Sequence, residues 1–344
     1  MRFYVVYISI LFSLLQIPSN AQEIHFSDIK NANATLNPAL IGNSTYDFKS
    51  SIVYRSQFET FANAYTTVMS NTEISVLDNN IGFFCSKKLN VGLSYAFDKA
   101  GTLNLRTSQL NLSLSYSQFL DIHKKSQLLF GLQTGYTFRS IDLSNAKTGS
   151  QFFNQYETVY LTDPNILEKS NYFNIAAGIG FGIFPNKKVS LFIGGAFYNL
   201  ARRNISFVRD MTIRQYIRYT TQGSVKISAT NNFTINPYYN LQFEGPAKEY
   251  IGGIECTYIY NEKKGIKNGI IAGVAYRHND GVIPKIGVSY HNYLIVFNYD
   301  INTSKLTKAS KSVGAFEISL SYNSDIFKRR DQCKDKKTLP CVTF

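Results

Sequence analysis

Tryptophan is absent from the 344 residues, and histidine, cysteine and methionine number only four, four and three. None of His25, His123, His278 and His291 sits in an HExxH pattern or beside a nucleophile, which removes the usual metallopeptidase arrangement. The cysteines, Cys85, Cys256, Cys333 and Cys341, form no CxxC pair, so a structural zinc site is excluded as well. Neither a G-x-S-x-G elbow nor a P-loop is present, and no cofactor is implied. Gly178-Ile-Gly-Phe-Gly182 places glycine at every second residue, the spacing of one strand face rather than of a phosphate loop. Beyond Ala21 no stretch approaches the roughly 18 consecutive apolar residues of a spanning helix. Only a closed barrel is left as a way through a membrane.

What the chain has instead is a two-residue alternation of large apolar with small or polar side chains. Val91-Gly-Leu-Ser-Tyr-Ala-Phe97, Leu110-Asn-Leu-Ser-Leu-Ser-Tyr116 and Phe316-Glu-Ile-Ser-Leu-Ser-Tyr322 are examples. Such a pattern makes a strand with one greasy and one wet face. It recurs over 48–58, 64–75, 80–86, 91–98, 108–119, 127–139, 172–184 and 189–199. The second half adds 215–228, 231–243, 249–260, 268–277, 282–291, 293–301 and 313–323. Segment 80–86 is the weakest, and single-chain barrels use even strand numbers, so the expectation is one antiparallel transmembrane β-barrel of about 14 strands with periplasmic termini. Many segments run about 10 to 13 residues, the length of a tilted membrane-crossing strand, whereas strands of soluble domains are nearer roughly five or six. Connectors alternate between tight, as at 184–188 and 260–265, and long, as at 140–171. Abundant Tyr and Phe can supply both interfacial belts.

The ends read differently. Arg2, the apolar stretch 3–17 and the small residues Ser19-Asn20-Ala21 predict a signal peptide cleaved before Gln22, with export to a Gram-negative outer membrane. No cysteine follows that position to carry a lipid. Residues 22–44 are expected as a periplasmic lead-in, 45–324 as the barrel and 325–344 as a basic periplasmic tail. Within the tail Cys333 and Cys341 are candidates for a disulfide, since they are close together in an oxidising compartment. Cys256 shares parity with Ile254 and Tyr258 and is expected to face lipid or packed neighbours.

Lys and Arg outnumber Asp and Glu by 36 to 23, a formal charge of +13 that attracts anionic partners. Without a nucleic-acid motif in an exported chain, those partners are lipopolysaccharide phosphates or an acidic protein surface. Arg202, Arg203, Arg209, Arg214 and Arg218 gather around one loop and are the candidate contacts. His278-Asn-Asp280, with His291, would be the material for a hydrolase at the rim, but Asn279-Asp280-Gly281 is first a turn signal. The chain is read as non-enzymatic.

Particular strings add to this. Asn37-Pro-Ala39 with Gly42, Tyr54-Arg-Ser-Gln-Phe58, Asp98-Lys-Ala-Gly101, Tyr299-Asp-Ile-Asn-Thr-Ser304 and Gly314 to Tyr322 together resemble the PorP/SprF family of type IX secretion outer-membrane proteins, as does Pro340-Cys341. Phe58, where the family commonly has Trp, and Val342-Thr343 depart from its pattern. The resemblance implies a barrel of the secretion and gliding machinery, whose partners are periplasmic machinery proteins or the C-terminal domain of a secreted adhesin held at the cell surface. Loops 140–171 and 200–218 are then the expected meeting points. Arg55 and Glu317 have inward parity and are expected to pair across the first and last strands. The alternative is a transporter or pore for a hydrophobic or anionic solute, lined by Arg55, Gln133, Arg139 and Glu317.

Overall fold

The computed structural model describes residues 26–44, 46–57, 65–79, 87–101, 103–121, 123–144, 165–263, 266–303 and 313–326. The expected signal peptide, segment 80–86 with Cys85, most of loop 140–171, and all but the first two residues of the expected tail, with Cys333 and Cys341, lie outside these residues.

Fourteen strands close into one barrel, each antiparallel to its neighbours in chain order, with the last strand paired to the first. They are β1 (Phe48–Gln57), β2 (Tyr65–Asn79), β3 (Lys87–Ala100), β4 (Leu105–Phe119), β5 (Ser126–Ser140), β6 (Lys169–Asn186) and β7 (Val189–Tyr198). The circuit continues with β8 (Arg218–Ser228), β9 (Phe233–Glu244), β10 (Ala247–Lys263), β11 (Ile266–Arg277), β12 (Gly281–Tyr290), β13 (Tyr293–Asn302) and β14 (Val313–Ser324). The alternation in sequence becomes alternation in space. Along β5 buried and exposed positions switch at each residue from Leu129 to Phe138. Leu110, Leu114 and Tyr116 of β4 stand opposite Tyr136, Leu132 and Phe130 of β5 on the outer face. Ile318 and Leu320 are exposed there, and Cys256 is a free thiol with outward parity.

Aromatic pairs collect at the two heights where lipid meets water. Phe48, Tyr322 and Tyr293 form a chain at one end, with centroids 6.3 and 5.1 Å apart. Tyr54 with Phe316, Tyr136 with Phe138, and Phe197 with Tyr219 stand towards the other. Strands β6 and β10 run on into their expected connectors, which shrink to 187–188 and 264–265. The two longest connections, 141–168 and 199–217, share the end opposite the termini. Short turns are periplasmic and long loops extracellular in barrels of this kind, which orients the molecule. At the tight end Asp121 accepts from Lys125 N (2.9 Å) and Ser126 N (2.7 Å). Slight burial works to raise its pKa, but these bonds prevail and hold the carboxyl below the usual carboxylate range.

The expected periplasmic lead-in requires correction, because residues 26–44 run through the barrel interior. A one-turn helix, α1 (Asn33–Leu36), and a 3-10 turn over Pro38–Leu40 fold there, with Ile29, Leu36, Leu40 and Ile41 buried against the wall. The physical reason is the inner face of the strands. Its Ser, Asn, Gln, Glu and Arg side chains need partners once enclosed, and a segment carrying polar groups and free peptide units supplies them.

Candidate functional site

The plug begins high in the lumen at a knot of charges. Ser27 N and Asp28 N donate to Glu317 Oε2 (2.8 Å) and Oε1 (2.5 Å), so one carboxylate holds two successive peptide groups. Arg55, opposite Glu317 in the β1–β14 register, places Nη1 3.3 Å from Glu317 Oε2 and donates Nη2 to Asp300 Oδ2 at 2.8 Å. Its Nη1 also donates to Ser27 Oγ (2.8 Å), which itself donates to Asp300 Oδ1 (2.9 Å). Arg277 reaches the same Asp300 carboxylate at 2.8 Å. Lower down, Lys285 lies 3.6 Å from Asp28 and 3.4 Å from Glu255, and Lys30 of the plug also pairs with Glu255. Charges taken out of water are tolerated when each has a partner and further donors or acceptors.

The chain then crosses to the far wall. Ala34 O accepts from Tyr198 OH (3.0 Å) and Gln133 Nε2 (3.3 Å), Thr35 O from Arg218 Nη2 (3.1 Å) and Leu36 O from Thr220 Oγ1 (2.6 Å). Asn37 is fully buried; its Nδ2 donates to Ile179 O (3.0 Å) and its Oδ1 accepts from Ala39 N (2.9 Å). Close approach here depends on glycine. A Cβ at Gly131 would overlap the Pro38–Ala39 peptide, and one at Gly178 would overlap Asn37 Oδ1. The return passes Ser115, which donates to Ile41 O, and ends at Gly42, whose positive φ of 65° turns its N–H onto Glu73 Oε2 (2.7 Å). Beside Ala34 and Thr35 a void of about 30 Å³ remains, room for a water. Asn37→Ala is expected to leave Ala39 N–H unsatisfied and to cost about 1–3 kcal/mol. Urea unfolding in detergent measures that loss, and faster proteolysis of the plug should accompany it.

Above the plug, 203–215 folds as a hairpin. Gln215 N donates to Arg203 O (3.0 Å) and Ile205 N to Ile213 O (2.9 Å). Its outer side pairs with 165–167 through Leu167 N to Phe207 O (2.7 Å) and Arg209 N to Asn165 O (2.8 Å). Arg139, the highest inward side chain of β5 named above, pins the hairpin from below. It donates to Ile205 O at 3.3 Å and lies 4.9 Å from the centre of the Phe207 ring. Arg203, Arg209 and Arg214 are exposed on this element and Arg202 just before it, close in sequence to exposed Met211, Ile213 and Tyr216.

Arg218 does not belong with them. It occupies an inward position of β8, stacks 4.3 Å from the centre of the Tyr198 ring and serves the plug. Proximity in sequence put it in the loop, but strand parity decides where it points. His278 and His291 lie in turns at opposite ends of the barrel, so the rim-hydrolase residues are not brought together. Among the described residues no group of His, Cys, Asp or Glu could hold a metal ion. Sequence reasoning missed Ser27, Asp28, Lys30, Glu255, Arg277, Lys285 and Asp300. Charged residues at inward parity in β10 to β13 were the available signal.

A closed antiparallel cylinder with an apolar, aromatic-belted outside and a polar inside defines an outer-membrane β-barrel. The toluene transporter TbuX of Ralstonia pickettii superposes with a TM-score of 0.51 at 11% identity, over 87% of this chain and 95% of that one. The Pseudomonas putida toluene transporter TodX gives 0.52 at 9% identity, over 88% and 95%. These likenesses concern the fold. No curated protein matches the chain in sequence. Residues 19–322 match the model of the type IX secretion system membrane protein family PorP/SprF, and the chain belongs to that family.

Proposed function

We propose that this barrel binds a secreted protein, of the kind represented by the C-terminal domain of an adhesin, and anchors it at the cell surface. The observation that carries the reading is the extracellular hairpin 203–215, braced by Arg139 and by 165–167, which presents the exposed Arg203, Arg209 and Arg214, with exposed Arg202 just before it, beside exposed apolar side chains. Cationic and apolar groups on a fixed backbone suit an acidic protein surface with an apolar centre, charge setting encounter and register while apolar contact supplies affinity. The plug supports the same reading, because a lumen filled by residues 26–42 is poorly suited to passing a solute. Linkage to the periplasmic secretion machinery would fall to the opposite end.

Reversing the four charges with Arg202→Glu, Arg203→Glu, Arg209→Glu and Arg214→Glu tests it. All four side chains are exposed, so the barrel should fold and reach the membrane at its usual level. The secreted partner should appear in the medium, with association slowed about tenfold or more at low salt and less at high salt. Undiminished surface display with all four reversed would reject the hairpin as the contact.

A further inference from the structure

The barrel wall is interrupted between β8 and β9. Pro237 sits in the middle of β9 without an N–H, and the β8–β9 ladder passes from Ser224/Tyr238 to Ile227/Ile235, skipping the two positions between. Over this seam the outer surface sinks into a cavity of about 440 Å³, within the size range of ligand pockets. Outward residues Ile193, Gly223, Val225 and Pro237 line it, and its floor reaches Phe192 and Tyr238. Those two side chains have inward parity; Phe192 belongs to the apolar cluster that includes Ile29 and Leu36 of the plug, and Tyr238 packs against that cluster. On the inner side of the seam Asn236 is buried with neither amide atom hydrogen-bonded, so the interruption is not repaired from within.

The cavity lies in the periplasmic half of the apolar band, because Ile183 and Leu191, which also line it, flank the β6–β7 turn. That turn carries the exposed Lys187 and Lys188. We infer that this is a phospholipid site, in which one acyl chain of an anionic inner-leaflet glycerophospholipid enters the seam while Lys187 and Lys188 hold its phosphate. The two ends of the site match the two ends of that molecule, and lipid is the solvent already present on this face. Phe192 and Tyr238 put the bound chain in contact with the apolar cluster around the plug.

The test uses the full barrel in nanodiscs of zwitterionic lipid doped with phosphatidylglycerol bearing a diazirine in mid-chain. After illumination, adducts should concentrate on Val225, Pro237 and Ile193 rather than on Ile270 or Ile295, lipid-facing residues elsewhere. Lys187→Glu with Lys188→Glu, on an exposed turn, should lower labelling at the seam about tenfold or more. Val225→Trp should fill the cavity and shift the remaining adducts away, with heat-modifiable gel mobility verifying that the barrel is intact. Adducts spread evenly around the barrel, indifference to both variants, or equal seam labelling by a diazirine fatty amide without phosphate would each overturn the assignment.

Discussion

Deletion of residues 26–42 is expected to turn a barrel that passes no resolved current in planar bilayers into one that conducts ions in discrete steps. The plug meets the wall at β14 through Glu317 and Ser319 and at β1 through Arg55, across to Gln133, Tyr198, Arg218 and Thr220, and back to Glu73. Removing it exposes these polar groups to water, which satisfies them, so the cylinder itself should survive. Its strands keep their own pairing throughout. A folded deletion variant that still passes no current would mean that something other than this segment closes the lumen. Gly131→Val offers a gentler form, since the added side chain must displace the Pro38–Ala39 peptide. Overpacking of that kind costs about 1–3 kcal/mol, enough to raise the open fraction without abolishing closure.

Arg55→Ala should be the most damaging single substitution in the lumen. The guanidinium is buried and answers to both Glu317 and Asp300. Losing it leaves two enclosed carboxylates, only one of which retains another close cation in Arg277. Breaking a buried pair from one side costs about 3–5 kcal/mol. Arg55→Lys should fall between, keeping the charge but not the fork that spans two carboxylates. Adding Glu317→Gln to Arg55→Ala should cost less than the sum of the two single changes, read as urea midpoints in detergent. Strict additivity would show that the two side chains are not coupled.

The strands were legible because each carries its own evidence, an alternation that needs no distant partner to be recognised. Cys256 and Ile318 could be assigned to the outer face on parity alone. The plug was illegible for the opposite reason. Residues 22–44 show no period, and the structure of 26–44 is imposed by partners such as Glu317 and Ser319, some 290 positions away in sequence. Asn37-Pro-Ala39, Gly42, Tyr54-Arg55, Asp300 and Glu317 all lie in the strings that carry the family resemblance. Nothing in those strings says that they converge at one plug and its receptor. Arg218 went astray for a related reason, since counting charges along the chain ignores the direction a strand gives each one.

The contact of Ser27 and Asp28 with Glu317 also bears on how such a cylinder can be sealed. Its first and last strands are the most distant in sequence, with Arg55 and Glu317 separated by 262 positions. Once the leading segment has seated on β14, however, β1 need only reach a residue bonded to Arg55 at a separation of 28, that of Ser27. By the logarithmic dependence of ring closure on chain length, that shortcut is worth about 2 kcal/mol of entropy. The segment is thus a mandrel as well as a stopper, and the hoop of strands closes around it at a smaller entropic cost.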